Sequence, residues 1–169
     1  MAEGERFHLA QVNIGLPRAS LGSAEMAEFV ELLEPINALA DTSPGFVWRL
    51  QTEDGNATAV RAFDDDRLIV NMSVWVTLES LGEFVYRSAH SGVMRRRREW
   101  FRKMPDLFTA LWWIPAGTLP AVSDAEERLA DLRRNGPSPR AFTFREPFPP
   151  PGSNDAARRA PDDRWLCPS

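Results

Sequence analysis

The residues able to do chemistry fall into two groups. The first is one face of the stretch 88–104. If that stretch is helical, His90, Met94, Arg97 and Phe101 recur at i, i+4, i+7 and i+11 and form one stripe. An imidazole, a thioether, a guanidinium and an aromatic ring in line suit a pocket wall holding an apolar ligand with an anionic end. A neutral imidazole can take a proton or ligate a heme iron, which makes His90 the candidate base and metal ligand. Arg97 can clasp a carboxylate. The plainer alternative for His90 is a buried histidine at a helix start, bonded to backbone. The second group is a pair of amides, Asn13 and Asn71, each inside an otherwise apolar stretch. A buried amide needs partners, either a loop or helix end or a ligand oxygen, and the second choice makes both candidate catalytic donors. His8, the other of two histidines, begins a strand and reads as a strand-end residue.

The run Arg95–Arg98 sweeps about 300° around a helix axis, so its members cannot all face open solvent. At least one guanidinium should lie on a packed or pocket-facing edge and need an anionic partner. Glu99 can pair with Lys103 at i+4, and Asp64–Asp66, otherwise a solvated loop, could supply carboxylates. Six Trp and ten Phe against one Tyr favour dry contact surfaces. Trp48, Trp75, Trp112 and Trp113 serve a core, a subunit interface or an aromatic-lined pocket. Within the pocket reading, Trp48, Trp75 and Phe84 are candidate lining residues beside Met94 and Phe101.

Period and punctuation give the elements that must place these groups. Residues 7–14 read as a strand, and residues 23–42 as a helix that Ser23 caps and Pro35 kinks or divides near Glu31–Glu34. Residues 46–51 and 68–75 read as strands, with 57–67 ambiguous between them. A helix opens at Thr77 or Glu79, and the helical pattern continues from about Ser88 until Pro105 ends it. Residues 108–114 form a fourth strand. Residues 123–135 form a last polar helix, with Ser123 as cap and Glu126 at capping-box spacing. The order is β-α-β-β-α-β plus an extra C-terminal helix, an α+β chain with the antiparallel sheet of a ferredoxin-like fold. The domain spans 1–151, with a proline-rich arm from 137, and 152–169 reads as a disordered tail.

Alternation puts large apolar groups on both sides of the sheet. Phe46, Trp48 and Leu50 share one side of their strand, and Ala110, Trp112 and Ile114 oppose Leu111 and Trp113. Helices cover one side, so a homodimer is expected to cover the other. The competing expectation is that residues 137–151 fold back over the open face.

Composition excludes much. A net charge of −4 gives no reason to expect nucleic acid. One Cys rules out an intrachain disulfide or a cysteine metal cluster. No apolar run reaches a membrane span, and the acidic start has no apolar core of a secretory signal, so a cytoplasmic location is the default. Spacings for zinc, calcium, a phosphate loop or a serine or cysteine nucleophile are missing, which argues against hydrolysis and nucleotide chemistry.

Six segments carry a resemblance: Leu9–Asn13, Ser43–Leu50, Asn71–Trp75, Phe84–His90, Arg96–Phe101 and Leu111–Gly117. Over roughly residues 7–150 they look like the DUF3291 family, itself similar to the antibiotic-biosynthesis-monooxygenase group of dimeric α/β barrels. The resemblance implies that fold and a monooxygenase-type oxidoreductase acting on a small hydrophobic or aromatic anion. Heme-degrading members of the wider group use an Asn on the first strand, a Trp on the helix after the Val-Trp strand and a His further along it. Asn13 and His90 match by position. Phe84 stands where that Trp would be, which counts against heme degradation and leaves heme binding open. The rival class is a non-catalytic protein that binds a hydrophobic anion such as heme.

Overall fold

The computed structural model describes residues 6–51, 68–87, 92, 95–104 and 106–153. Strand β1 (Phe7–Gly15) leads through a 3-10 turn (Ala24–Met26) into α1 (Ala27–Asp41), β2 (Phe46–Arg49), β3 (Ile69–Trp75), α2 (Leu78–Arg87), α3 (Arg97–Trp100), β4 (Thr109–Pro115) and α4 (Val122–Asn135). The four strands pair antiparallel in the order β2-β3-β1-β4. Two split βαβ units interleaved in this order are the ferredoxin-like arrangement, as the residue pattern predicts.

Several local expectations change for identifiable reasons. Helix α1 runs through Pro35 as one element. The hydrogen bond that Pro35 cannot make would reach Glu31, and both residues are exposed, so that carbonyl lies on the solvent side of the helix. The Ser23 hydroxyl donates back to the Ser20 carbonyl instead of capping. Thr77 does cap α2, its Oγ1 accepting from the Ser80 N–H at 3.0 Å. Helix α4 starts one residue early, where the Asp124 carboxylate accepts the Ala121 N–H at 2.7 Å, in place of the Ser123–Glu126 pair. The helix expected to last until Pro105 stops at Trp100. There the backbone turns extended and pairs with the segment after β1: Arg18 N–H donates to the Trp100 carbonyl and Arg102 N–H to the Leu16 carbonyl. Residues 57–67 and 154–169 lie outside the described residues, and with them the acidic loop and most of the expected tail.

A bulge at Val47 breaks the alternation assumed for β2. Phe46 pairs with Trp75 while Trp48 pairs with Val74, so Phe46 and Trp48 point to opposite faces of the sheet. One face carries Ala10, Val12, Ile14, Val70, Met72, Val74, Ala110 and Trp112, buried together with Ala125, Leu129 and Leu132 of α4. The other carries Leu9, Trp75 and Leu111, packed with Leu78 and Leu81 of α2, Ala40 of α1 and Phe142. The C-terminal arm therefore belongs to the core. Phe142 is fully buried and exchanges backbone hydrogen bonds with Leu111 at 2.9 and 2.8 Å, and Trp113 Nε1 donates to the Phe148 carbonyl at 2.8 Å. The homodimer was expected because one face lacked cover. A single chain buries Val12, Val70 and Val74 on one face and Leu9, Trp75 and Leu111 on the other, all at 0% exposure, so that premise fails.

Candidate functional site

Strand register lays side chains in three rows over the face that α1 and α2 cover. Asn71, Asn13 and Thr109 cross β3, β1 and β4 side by side; Ser73, Gln11 and Leu111 form the next row, and Trp75, Leu9 and Trp113 the third. Polarity therefore grades from an amide row through a mixed row to an apolar one. The polar members bind one another. Gln11 Nε2 donates to Asn71 Oδ1 and to Ser73 Oγ, both at 2.8 Å, and Trp75 Nε1 donates to Ser73 Oγ at 2.9 Å. Asn13 Nδ2 donates to Thr109 Oγ1 at 3.0 Å.

Arg97 closes the polar end. Its guanidinium donates to Asn13 Oδ1 at 3.2 Å and to the Ile14 carbonyl at 2.8 Å. It lies 4.9 Å from the centre of the Phe101 ring and 4.5 Å from that of Phe108. Of the arginine run it is the packed member, as the sweep around the helix requires, but its partners are an amide oxygen and a carbonyl rather than the anion expected. Among the described residues it pairs with no carboxylate. Desolvation pushes its pKa down to about 10, so it keeps its charge at neutral pH while lacking a counter-charge. The carboxylates go to Arg96, which holds Glu28 at 2.7 Å and Glu99 at 2.8 Å at the surface, and Glu99 is thereby taken from its expected partner Lys103.

Of the residues singled out by sequence, Asn13, Asn71, Arg97 and Phe101 meet at this end, although Phe101 is no longer on the helical stripe and Asn71, expected as a buried amide, is exposed at the rim of the row. Trp75 is fully buried in the third row, its indole N–H committed to Ser73 and its ring stacked on Phe84 at 5.2 Å and 27°. Trp48 lies on the opposite face because of the bulge. His90 and Met94, and Asp64–Asp66, lie outside the described residues. Sequence reasoning missed Gln11, Ser73, Thr109, Gly15 and Phe108; the period-two offsets from Asn13 and Asn71 point to Gln11 and Ser73. A flat macrocycle does not fit the described rings meant to flank it: Trp75 and Phe84 face each other, and Trp48 is across the sheet. A cleft of about 270 Å³ between the start of α2 and the proline arm, lined by Phe7, Thr77, Trp113 and Phe148, lies at the far end of β1 from Arg97.

Gly15 sets the floor under this cation. A Cβ there would come within 2.7 Å of two Phe101 ring carbons and 3.2 Å of Arg97 Nη2. The Phe101 ring cannot yield freely, since it is buried and packed edge-on against Phe29 at 5.0 Å. Gly15→Ala should therefore cost about 1–3 kcal/mol and displace the guanidinium, read by denaturant unfolding together with the ligand assay below. Unchanged stability would show that this contact is slack.

Comparison with known proteins adds the following. A family model described as a domain of unknown function, DUF3291, matches residues 8–159. No curated protein matches the chain. Among solved structures, the chain is similar to SnoaB, a cofactor-independent oxygenase from Streptomyces nogalater, with 19% identity over 68% of this chain and 98% of that one, at a TM-score of 0.45. It is also similar to NE2512, a protein of unknown function from Nitrosomonas europaea, with 12% identity over 70% of this chain and 99% of that one, at a TM-score of 0.43.

Proposed function

The chain belongs to the DUF3291 family, and on that premise we propose a monooxygenase-type oxidoreductase acting on a small aromatic anion. The observation that carries this reading is the half-buried Arg97, without a carboxylate among the described residues, set beside donors on an apolar sheet face. Asn71 Nδ2 and the second Asn13 Nδ2 hydrogen have no acceptor among the described residues. Such a row stabilises a phenolate or enolate oxygen. A phenolate is electron-rich enough to react with O₂: a ring C–H becomes C=O, one oxygen atom enters the product, and the other leaves as water with the two hydrogens. Four electrons pass from ring to O₂, so no further reductant is needed. The chain's part is to hold the anion, exclude water and, through His90, take the phenolic proton.

Oxygen uptake with a panel of phenols and hydroxylated polycycles tests this. One O₂ per substrate, with one labelled atom retained in the product, is the expected result. Binding without uptake across the panel would favour the second reading, a carrier of hydrophobic anions. That reading is supported by the strip itself, where no titratable base touches the amide row among the described residues. Added hemin tests the heme-dependent form separately, since a Soret shift lost in His90→Ala would reinstate the axial ligand.

A further inference from the structure

We infer that Ser73 is a further substrate-binding residue, donating its hydroxyl proton to a substrate ring oxygen, and that Gln11 is the positioning residue that turns this proton outward. The inference rests on the anion-binding reading above and adds to it a donor one row deeper.

A serine oxygen has two lone pairs and one proton. Both lone pairs of Ser73 Oγ are filled, one by Gln11 Nε2 at 2.8 Å and one by Trp75 Nε1 at 2.9 Å. The hydroxyl can then only donate, and it donates to no acceptor among the described residues. Ser73 is just 7% exposed, so water is not freely available to take the proton. A nearly buried donor held in this state is incomplete until an acceptor arrives. The same Gln11 amide occupies the oxygen of Asn71, an exposed residue whose N–H₂ is left to donate. One side chain thus sets two neighbouring groups of β3 as donors on the same face. A cation would be repelled by this arrangement; a ring oxygen carrying negative charge is what it fits. Ser73 stands beside Gln11 and Leu111 in the middle row, between the amides and the apolar end. A ring lying along that gradient would set its charged oxygen against Ser73, on the side of the face that Arg97 closes.

The test uses para-nitrophenol and its methyl ether, titrated by absorbance against the full-length protein. The wild type should hold the phenolate form to lower pH than in free solution. Ser73→Ala should raise the pKa of the bound phenol by about one unit and weaken phenolate binding about tenfold, with the methyl ether unaffected. Ser73→Thr should restore both. Gln11→Glu leaves Ser73 in place but gives its proton an inward acceptor, and should resemble Ser73→Ala; circular dichroism confirms that each variant is folded. If Ser73→Ala binds both probes as the wild type does, the Ser73 role is overturned while the site reading stands. If the wild type itself does not favour the phenolate, the anion-binding reading falls and takes this inference with it.

Discussion

Arg97→Met should lower kcat/KM toward the anionic substrate by roughly a hundredfold or more while leaving the fold as stable as before, or more stable. The two halves of this expectation come from one fact. Arg97 carries a charge held between the Phe101 and Phe108 rings, with no carboxylate among the described residues to offset its desolvation. Methionine keeps the unbranched stem against those rings and removes the charge. Two hydrogen bonds are lost, to Asn13 Oδ1 and the Ile14 carbonyl, and the relief of desolvation offsets them. The pH dependence has a definite sign. The folded-state pKa of about 10 lies below the ordinary guanidinium value, because burial strips water from the charge, so folding opposes the charged form. That penalty is present at all lower pH and fades as pH rises through about 10. Wild-type stability should gain from this group above that point, and Arg97→Met should lose the gain. An anion bound at Arg97 favours the charged form, so anion affinity should decline over the same rise. Thermal melts and kinetics on one preparation decide the matter; a marked fall in melting temperature would make Arg97 a structural clamp. Lysine is no substitute, because the two donors reach two oxygens in a fixed fork.

The second large effect concerns stability. Phe142→Ala should cost about 3–5 kcal/mol, a drop visible in any melt. Phe142 is wholly buried, lies 6.4 Å from the Trp113 ring and 5.9 Å from the Phe148 ring, and packs with Leu9 and Leu111 under α2. Truncation leaves a void among groups that the backbone bonds to Leu111 hold in place, so the site cannot collapse to fill it. Limited proteolysis should then cut within 142–151. A loss near 1 kcal/mol would mean that the arm is only draped over the sheet.

The fold was legible where period and punctuation agree. Strands β1, β3 and β4 and the α2 cap at Thr77 follow directly from alternation and capping chemistry, and the strand order follows from their sequence. What could not be read required contacts distant in sequence. The bulge at Val47 depends on how β2 meets β3, and it moved Trp48 off the site. The end of α3 depends on backbone pairing with residues 16–18, and it took Phe101 out of the helical stripe. Pro35 signals a kinked or divided helix in the sequence, because sequence does not show which side of a helix meets water. At the site, Asn13 and Asn71 are visible as amides in apolar stretches, and Arg97 through the sweep of the arginine run around a helix. Gln11 and Ser73 were not singled out, because their meaning comes from facing each other across two strands.

The arm has a consequence for the margins of the sheet. Strand β4, Thr-Ala-Leu-Trp-Trp-Ile-Pro, is the kind of greasy ribbon that recruits a stranger, and Phe142 occupies its outer rim at Leu111. The opposite rim is a four-residue ribbon made irregular by its bulge. Each hem is thus finished by the chain itself. A protein cut short before Phe142 should unravel one of them and polymerise from it.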